Sequence, residues 1–232
     1  ATNGSIGAAF GSAGERCMAV SVAVAVGDIA DKLLENVKNK AESLKVAPYT
    51  DSSSDMGPVI SKEHLSKIHS YIQSGVDEGA NLIMDGRKIK IQGYENGYFL
   101  GPTLFDNVND KMKIYKEEIF GPVLCVVRAK NYDEALSLVN NHKFGNGTSI
   151  YTSNGAISHH FTSNAKIGMV GVNVPIPVPM AYHSFGGWKN SLFGDSAMHG
   201  TEGINFYTKL KTITSKWPTE EVISPEYSMP IL

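Results

Sequence analysis

The sequence predicts an α/β fold, an open and mainly parallel sheet flanked by helices, on three observations. Residues 18–26 form a nearly continuous apolar, β-branched tract, the pattern of a strand buried on both faces. Directly after it, Ile29, Leu33, Val37, Ala41 and Leu44 recur at intervals of three or four, one stripe of an amphipathic helix. Strand and helix patterns then alternate along the chain, as parallel-strand crossovers require.

Taken in order, residues 1–14 are small and Gly-rich and read as a loop. Gly27-Asp28 ends the first strand, with Asp28 placed as a helix N-cap. Residues 48–58 are a polar loop. Ser61 opens a second helix with the stripe Leu65, Ile68, Ile72 and Val76, closed by Gly79. Residues 81–84 read as a short strand and Asp85-Gly86 as a turn. Residues 98–108 can be strand, but Pro102 argues against a central ladder position. Strand at 122–127, helix at 132–140, a turn at 145–147, strand at 148–152, helix at 155–165 and strand at 169–174 follow. The proline run at 175–179 must be extended loop. Thr201-Glu-Gly203 reads as a turn. Residues 206–213 alternate again, with Lys209 and Lys211 on one face and Phe206 and Leu210 on the other, and predict a C-terminal strand.

Composition narrows the function classes. The 232 residues carry 21 basic and 23 acidic side chains, a formal charge of −2, which leaves no electrostatic footprint for nucleic acid or an anionic membrane. Apolar residues make up 42% and charged residues 19%, a composition able to build a core. No stretch approaches the ~18 apolar residues of a membrane span. Two cysteines exclude a disulfide framework and a Cys-based zinc cage, and the histidines lack metal spacing; both point to a reducing compartment without a resident metal. Ala1 is not Met and no signal-peptide pattern follows it, so the opening reads as mid-protein.

The two cysteines differ. Cys125, inside Val123-Leu-Cys-Val-Val127, reads as a small core hydrophobe. Cys17 lies in Gly11-Ser-Ala-Gly-Glu-Arg-Cys17, where small residues leave room for a substrate carbonyl and Arg16 adds positive potential favouring the thiolate. These features alone leave Cys17 open between structural thiol and nucleophile.

Four ordered motifs resolve this by resemblance. Gly14-Glu15-Arg16-Cys17 resembles the nucleophile loop of aldehyde dehydrogenases, and Gly57-Pro58-Val-Ile60 the loop into their next helix. Lys116-Glu-Glu-Ile-Phe-Gly-Pro-Val123 matches the family's Glu-Glu-(Ile/Val)-Phe-Gly-Pro signature, and Phe185-Gly-Gly-Trp-Lys-Asn-Ser191 its Phe-Gly-Gly-(Tyr/Trp)-Lys-x-Ser segment. Gly93-Tyr-Glu-Asn-Gly97, Gly171-Val-Asn-Val-Pro-Ile-Pro-Val-Pro179 and Phe206-Tyr-Thr-Lys-Leu-Lys-Thr-Ile-Thr214 resemble its CoA-acylating, methylmalonate-semialdehyde branch. Glu15 stands where the usual residue is Gln, and Ala181-Tyr-His-Ser184 departs from the branch pattern.

The resemblance implies the C-terminal half of such an enzyme, with residues 1–200 as the thiol-bearing catalytic domain and 201–232 as an oligomerisation strand and tail, and without the NAD-binding domain. It implies Cys17 as nucleophile and Glu118 as holder of the nicotinamide ribose. Phe120 would pack beside the nicotinamide, Arg16 clamp the substrate carboxylate and Phe185 line the aldehyde pocket. NAD, coenzyme A as acyl acceptor, a small semialdehyde substrate and a homo-oligomer follow, in the cytoplasm of a bacterium or the mitochondrial matrix of a eukaryote. From the residues alone, Glu117 and Glu118 also fit a solvated helix-start pair, Phe120 and Phe185 core aromatics, and Arg16 a surface or loop-stabilising residue. A hydrolysing aldehyde dehydrogenase and a catalytically silent assembly module remain the competing functions.

Overall fold

The computed structural model describes residues 1–215 and 217. It opens on a helix, α1 (Thr2–Phe10), followed by a tight turn at Gly11–Gly14 whose Ser12, Ala13 and Gly14 are left-handed. The expected loop is therefore wrong: Ile6, Ala8, Ala9 and Phe10 are buried, and that burial outweighs the poor helix propensity of Gly4 and Gly7. Gly4 lets the Tyr151 hydroxyl pack against the helix backbone, since a Cβ there would displace it.

Strand β1 (Val22–Val26) is shorter than the apolar tract suggested, and only Ala25 in it is fully buried. It is an edge strand, so the expectation of burial on both faces is corrected. Helix α2 (Ile29–Glu42) follows, with Asp28 at its N-cap making no side-chain capping bond. Its buried face is Ala30, Leu34, Val37 and Ala41: Val37 and Ala41 belong to the predicted stripe, whereas in the first turns Ala30 and Leu34 are buried in place of Leu33 and Ile29, the latter 49% exposed. Helix α3 (Lys62–Asp77) starts as predicted, with the Ser61 side chain accepting from the His64 N–H, and buries Ile68, Tyr71, Ile72 and Gly75.

Strand β2 (Asn81–Met84) and β3 (Thr103–Asp106) pair antiparallel. β3 is an interior strand with all four residues buried, against the expectation drawn from Pro102. Pro102 sits one residue before the ladder and so removes no ladder donor. After the one-turn α4 (Lys113–Lys116) comes β4 (Val123–Ala129), parallel to both β3 and β1, which gives the mixed sheet order β1-β4-β3-β2.

Helix α5 (Tyr132–Asn141) is capped by Asn131. The expected turn at 145–147 splits into β5 (Phe144–Gly145) and the start of β6 (Gly147–Ile150). Helix α6 (Gly155–Asn164), capped by Asn154, leads to β7 (Met169–Val172), parallel to β6. β8 (Trp188–Lys189) pairs with β5, and α7 (Gly200–Tyr207) ends the regular structure. The predicted turn at 201–203 is the first part of α7, and residues 206–207 are helical while 208–215 are irregular and exposed. No C-terminal strand forms within the described residues: an alternating segment with no partner edge has no ladder to join. Its residues 216 and 218–232 lie outside the description.

The main core lies between the four-stranded sheet and α1, α2 and α3, with Phe10, Phe105, Ile68, Ile72 and Leu104 almost wholly buried. A smaller cluster of Phe161, Ala165 and Ile167 packs with Leu136, Val139 and Ile150. Between β1 and β6 runs an open apolar cleft of about 930 Å³. No helix of the described residues is long and apolar enough to cross a membrane.

One polar junction ties the sheet to α2. Arg128 grips the buried Asp106 carboxylate with Nε and Nη2 at 3.0 and 2.8 Å, and Nη2 also reaches Asp31 at 2.6 Å. Arg128→Met strands a carboxylate that is 3% exposed. It is expected to lower stability by about 2–4 kcal/mol in urea unfolding. Arg128→Lys recovers only part, because an ammonium cannot make the fork. A loss below about 0.5 kcal/mol for the Met variant, the range of an ordinary surface change, contradicts the assignment.

Candidate active site

The site is built from two loops that precede parallel strands. The 11–21 segment feeds β1 and the 117–122 segment feeds β4, and the register sets Val22 beside Cys125. The two loops are therefore neighbours at the amino ends of the strands.

Their contact is very close. Gly14 has φ +70°, and a Cβ on it would lie 2.1 Å from the Gly121 carbonyl oxygen, so only glycine lets the backbones meet. Ser12 and Ala13 before it are also left-handed, at φ 51° and 54°. Each such residue costs about 1–3 kcal/mol, which persists only where the surroundings overdetermine it. Arg16 to Ala19 then form a tight turn closed by the Ala19 N–H on the Arg16 carbonyl at 3.0 Å. Cys17 sits at the corner of that turn and is exposed. Its carbonyl accepts from the Asn146 side chain at 2.9 Å, and Met18 is buried against Gly147, so the turn is anchored from β6.

Across the contact, Phe120 is left-handed at φ 58° and 38% exposed. Glu118 is exposed, whereas its neighbour Glu117 is held by the Tyr71 hydroxyl at 2.8 Å. Burial and the neighbouring carboxylate push the Tyr71 hydroxyl up to about 12, so it remains a donor. Cys17, Arg16, Glu118 and Phe120 all line one small cleft of about 60 Å³. Four of the five predicted site residues thus line one cleft, with Cys17 and Glu118 contributed by its two different loops. Arg16 is folded back on its own loop, its Nε donating to the Ser12 hydroxyl at 3.0 Å, which leaves the terminal nitrogens for other acceptors. Phe185 is elsewhere. It stacks on His199 with centroids 4.5 Å apart and lines neither cleft.

Tyr71 and His64 went unnoticed in the sequence. His64, Ile68 and Tyr71 recur at i, i+4 and i+7, so one face of α3 presents all three; that spacing was the available signal. No group of His, Cys, Asp or Glu among the described residues can hold a metal ion. His160 instead shares a hydrogen bond with the Tyr132 hydroxyl at 2.7 Å.

Cys125 has none of these properties. It is fully buried, its thiol lies 3.8 Å from the Ile114 carbonyl, and desolvation pushes its pKa up to about 12. At pH 8 such a thiol is about one part in 10⁴ thiolate. Iodoacetamide should therefore label the folded protein once, at Cys17, with Cys125 reacting at least ~100-fold more slowly until denaturant is added. Peptide mapping reads the result, and equal labelling of both thiols in the folded state contradicts it.

The comparisons with known proteins identify the family. A model of the aldehyde dehydrogenase family matches residues 1–213. A malonate-semialdehyde dehydrogenase of Pseudomonas aeruginosa is 54% identical over 214 residues, covering 92% of this chain and 43% of its own length. The mitochondrial acylating methylmalonate-semialdehyde/malonate-semialdehyde dehydrogenase of Rattus norvegicus is 48% identical over 229 residues, 98% of this chain and 43% of its own. A Sinorhizobium meliloti structure described as a methylmalonate-semialdehyde dehydrogenase, complexed with NAD, superposes with a TM-score of 0.92 at 59% identity over 94% of this chain and 45% of that one. The chain thus spans somewhat less than half the length of these relatives. It belongs to the aldehyde dehydrogenase family.

Proposed function

We propose that this chain supplies the thiol half-site of an NAD-dependent, CoA-acylating (methyl)malonate-semialdehyde dehydrogenase. The observation that supports it most is the convergence of Cys17, Arg16, Glu118 and Phe120 on one cleft.

In this reading the Cys17 thiolate adds to the aldehyde carbon, forming a C–S bond and placing the electron pair on oxygen as a thiohemiacetal. A backbone N–H of the nucleophile loop and a donor from polypeptide outside this chain stabilise that oxygen. When bound, NAD⁺ accepts a hydride from the thiohemiacetal carbon. Cys17 is left as a thioester, still activated for transfer. The CoA thiol attacks it, so a C–S bond to CoA forms, the bond to Cys17 breaks and the thiolate returns. Loss of the substrate carboxylate as CO₂ accompanies the sequence; the C–C bonding pair stays on the α-carbon, which takes up a proton equivalent to the one the CoA thiol releases, giving propionyl-CoA from methylmalonate semialdehyde and acetyl-CoA from malonate semialdehyde.

Glu118 fits a nicotinamide ribose by chemistry: a carboxylate accepts from both hydroxyls of a diol, and Tyr71 takes up only its neighbour Glu117. Phe120, exposed beside it, offers a ring face or edge to a planar heterocycle. In this reading the Arg16 guanidinium, whose Nε is taken by Ser12, uses its two terminal nitrogens to clamp the substrate carboxylate. The relatives named as malonate- and methylmalonate-semialdehyde dehydrogenases, and the NAD in one neighbour, support the choice of branch and cofactor. A homo-oligomer is part of the reading, and the exposed Leu210 and Ile213 suit subunit contact. Its compartment is the cytoplasm in a bacterium and the mitochondrial matrix in a eukaryote.

The cleft lies at the amino ends of the strands, away from the carboxyl-end crevice where open α/β sheets bind dinucleotide phosphates. The chain alone is accordingly expected to form negligible NADH, although Cys17 stays reactive. In the complete enzyme, turnover with malonate semialdehyde, NAD⁺ and CoA should yield acetyl-CoA by mass spectrometry, and Cys17→Ser should abolish it. Arg16→Lys should depress kcat/KM for the acidic semialdehyde by ~10-fold or more while sparing a neutral aldehyde. Free acid as the product would select the hydrolysing alternative, and equal losses on both aldehydes would remove the Arg16 clamp.

A further inference from the structure

Helix α3 makes a junction with both site loops that the reaction as described does not use. The His64 Nε2 atom lies 2.6 Å from the Phe120 carbonyl oxygen and 3.3 Å from Glu15 Oε1. A backbone carbonyl offers only lone pairs, so Nε2 carries the proton and donates to it. Glu15 in turn accepts the Ile60 N–H at 3.2 Å, and the pair is largely enclosed, with side chains 14% and 15% exposed. The His64 ring also meets the Phe120 ring edge-on, with centroids 6.2 Å apart at 67°.

The same face of α3 touches the loop at two further points. Ile68 fills the space beside Gly121, where an added Cβ would come within 2.5 Å of its Cδ1, and Tyr71 donates to Glu117. Glu118 is therefore bracketed: residue 117 is held by Tyr71, 120 by His64 and 121 by Ile68. Because Glu15 is two residues from Cys17, the one imidazole connects the nucleophile loop to the loop that presents Glu118.

We propose that His64, acting with Glu15, is a positioning residue that holds Phe120 in its left-handed conformation and so sets Glu118 against Cys17. This rests on the roles given above to Cys17 and Glu118. The imidazole is suited to the task because its Nε2–H donates to the Phe120 carbonyl while the same nitrogen lies beside the Glu15 carboxylate, and its ring packs on the residue whose carbonyl it holds. Neither partner is itself placed in contact with substrate or cofactor.

The test needs no aldehyde or cofactor, so its failure is separate from failure of the proposed reaction. His64→Phe keeps an aromatic ring and removes the donor; His64→Gln places an amide N–H near the position of Nε2–H. Hydrogen–deuterium exchange of the full chain should show the Ile119, Phe120 and Gly121 amides exchanging at least ~10-fold faster in His64→Phe, with β4 amides unchanged. His64→Gln should return most of the protection, and Glu15→Gln should give an intermediate rate. If the Phe variant does not fold, the wild-type ¹⁵N histidine spectrum still decides, because His64 must show the Nε2–H tautomer. Unchanged exchange at 119–121, acceleration spread evenly over the sheet, no recovery in His64→Gln, or an Nδ1–H tautomer would each overturn the proposal.

Discussion

The approach of Gly14 to the Gly121 carbonyl is the constraint on which the rest of the site depends. It leaves no space for a side chain at position 14 and brings two loops, more than a hundred residues apart in sequence, to backbone contact. The Cys17 loop reaches that contact through left-handed Ser12, Ala13 and Gly14, and the opposing loop through left-handed Phe120. Conformations of this kind are held by what surrounds them. Here the surroundings are buried Phe10 and Ala13 on one side, and Ile68, Ile119 and Val123 on the other. The core and the cleft are thus one construction: the packing that stabilises the fold also brings the Cys17 and Glu118 loops to one cleft.

The sheet explains why the contact can occur. β1 and β4 are parallel neighbours in fixed register, so the segments entering them must run side by side. The Cys125 N–H donates to the Ser21 carbonyl at 2.9 Å, extending the pairing just beyond β1 toward the nucleophile loop. This location at the amino ends of the strands separates the thiol chemistry from the usual place of a dinucleotide's phosphates.

Much of the fold was legible because local signals agreed with tertiary packing. Ser61, Asn131 and Asn154 begin helices α3, α5 and α6 by the capping bonds their side chains make. α1 was illegible because its residues are small and it is held by burial and by bonds from distant Val20 and Lys40, and the first turns of α2 were misread because Ile29 and Leu33 face the apolar cleft next to β1. The C-terminal alternation carried strand periodicity, but a strand also needs a neighbour. For the site, motif order identified the loops, whereas composition left Cys17 undecided. His64 and Tyr71 could not be read directly, since their partners lie 56 and 46 residues away and only the folded chain joins them. Phe185, assigned to the aldehyde pocket by resemblance, stacks on His199 instead of lining the cleft.

The most direct measurement is the mass of the Cys17 peptide after the complete enzyme is mixed with malonate semialdehyde and NAD⁺ without CoA, then quenched in acid. An acyl group retained on that peptide, absent without NAD⁺ and discharged when CoA is added before the quench, is the result this account predicts. An unmodified Cys17 peptide in an enzyme that nevertheless forms NADH contradicts it, whatever the agreement of motifs.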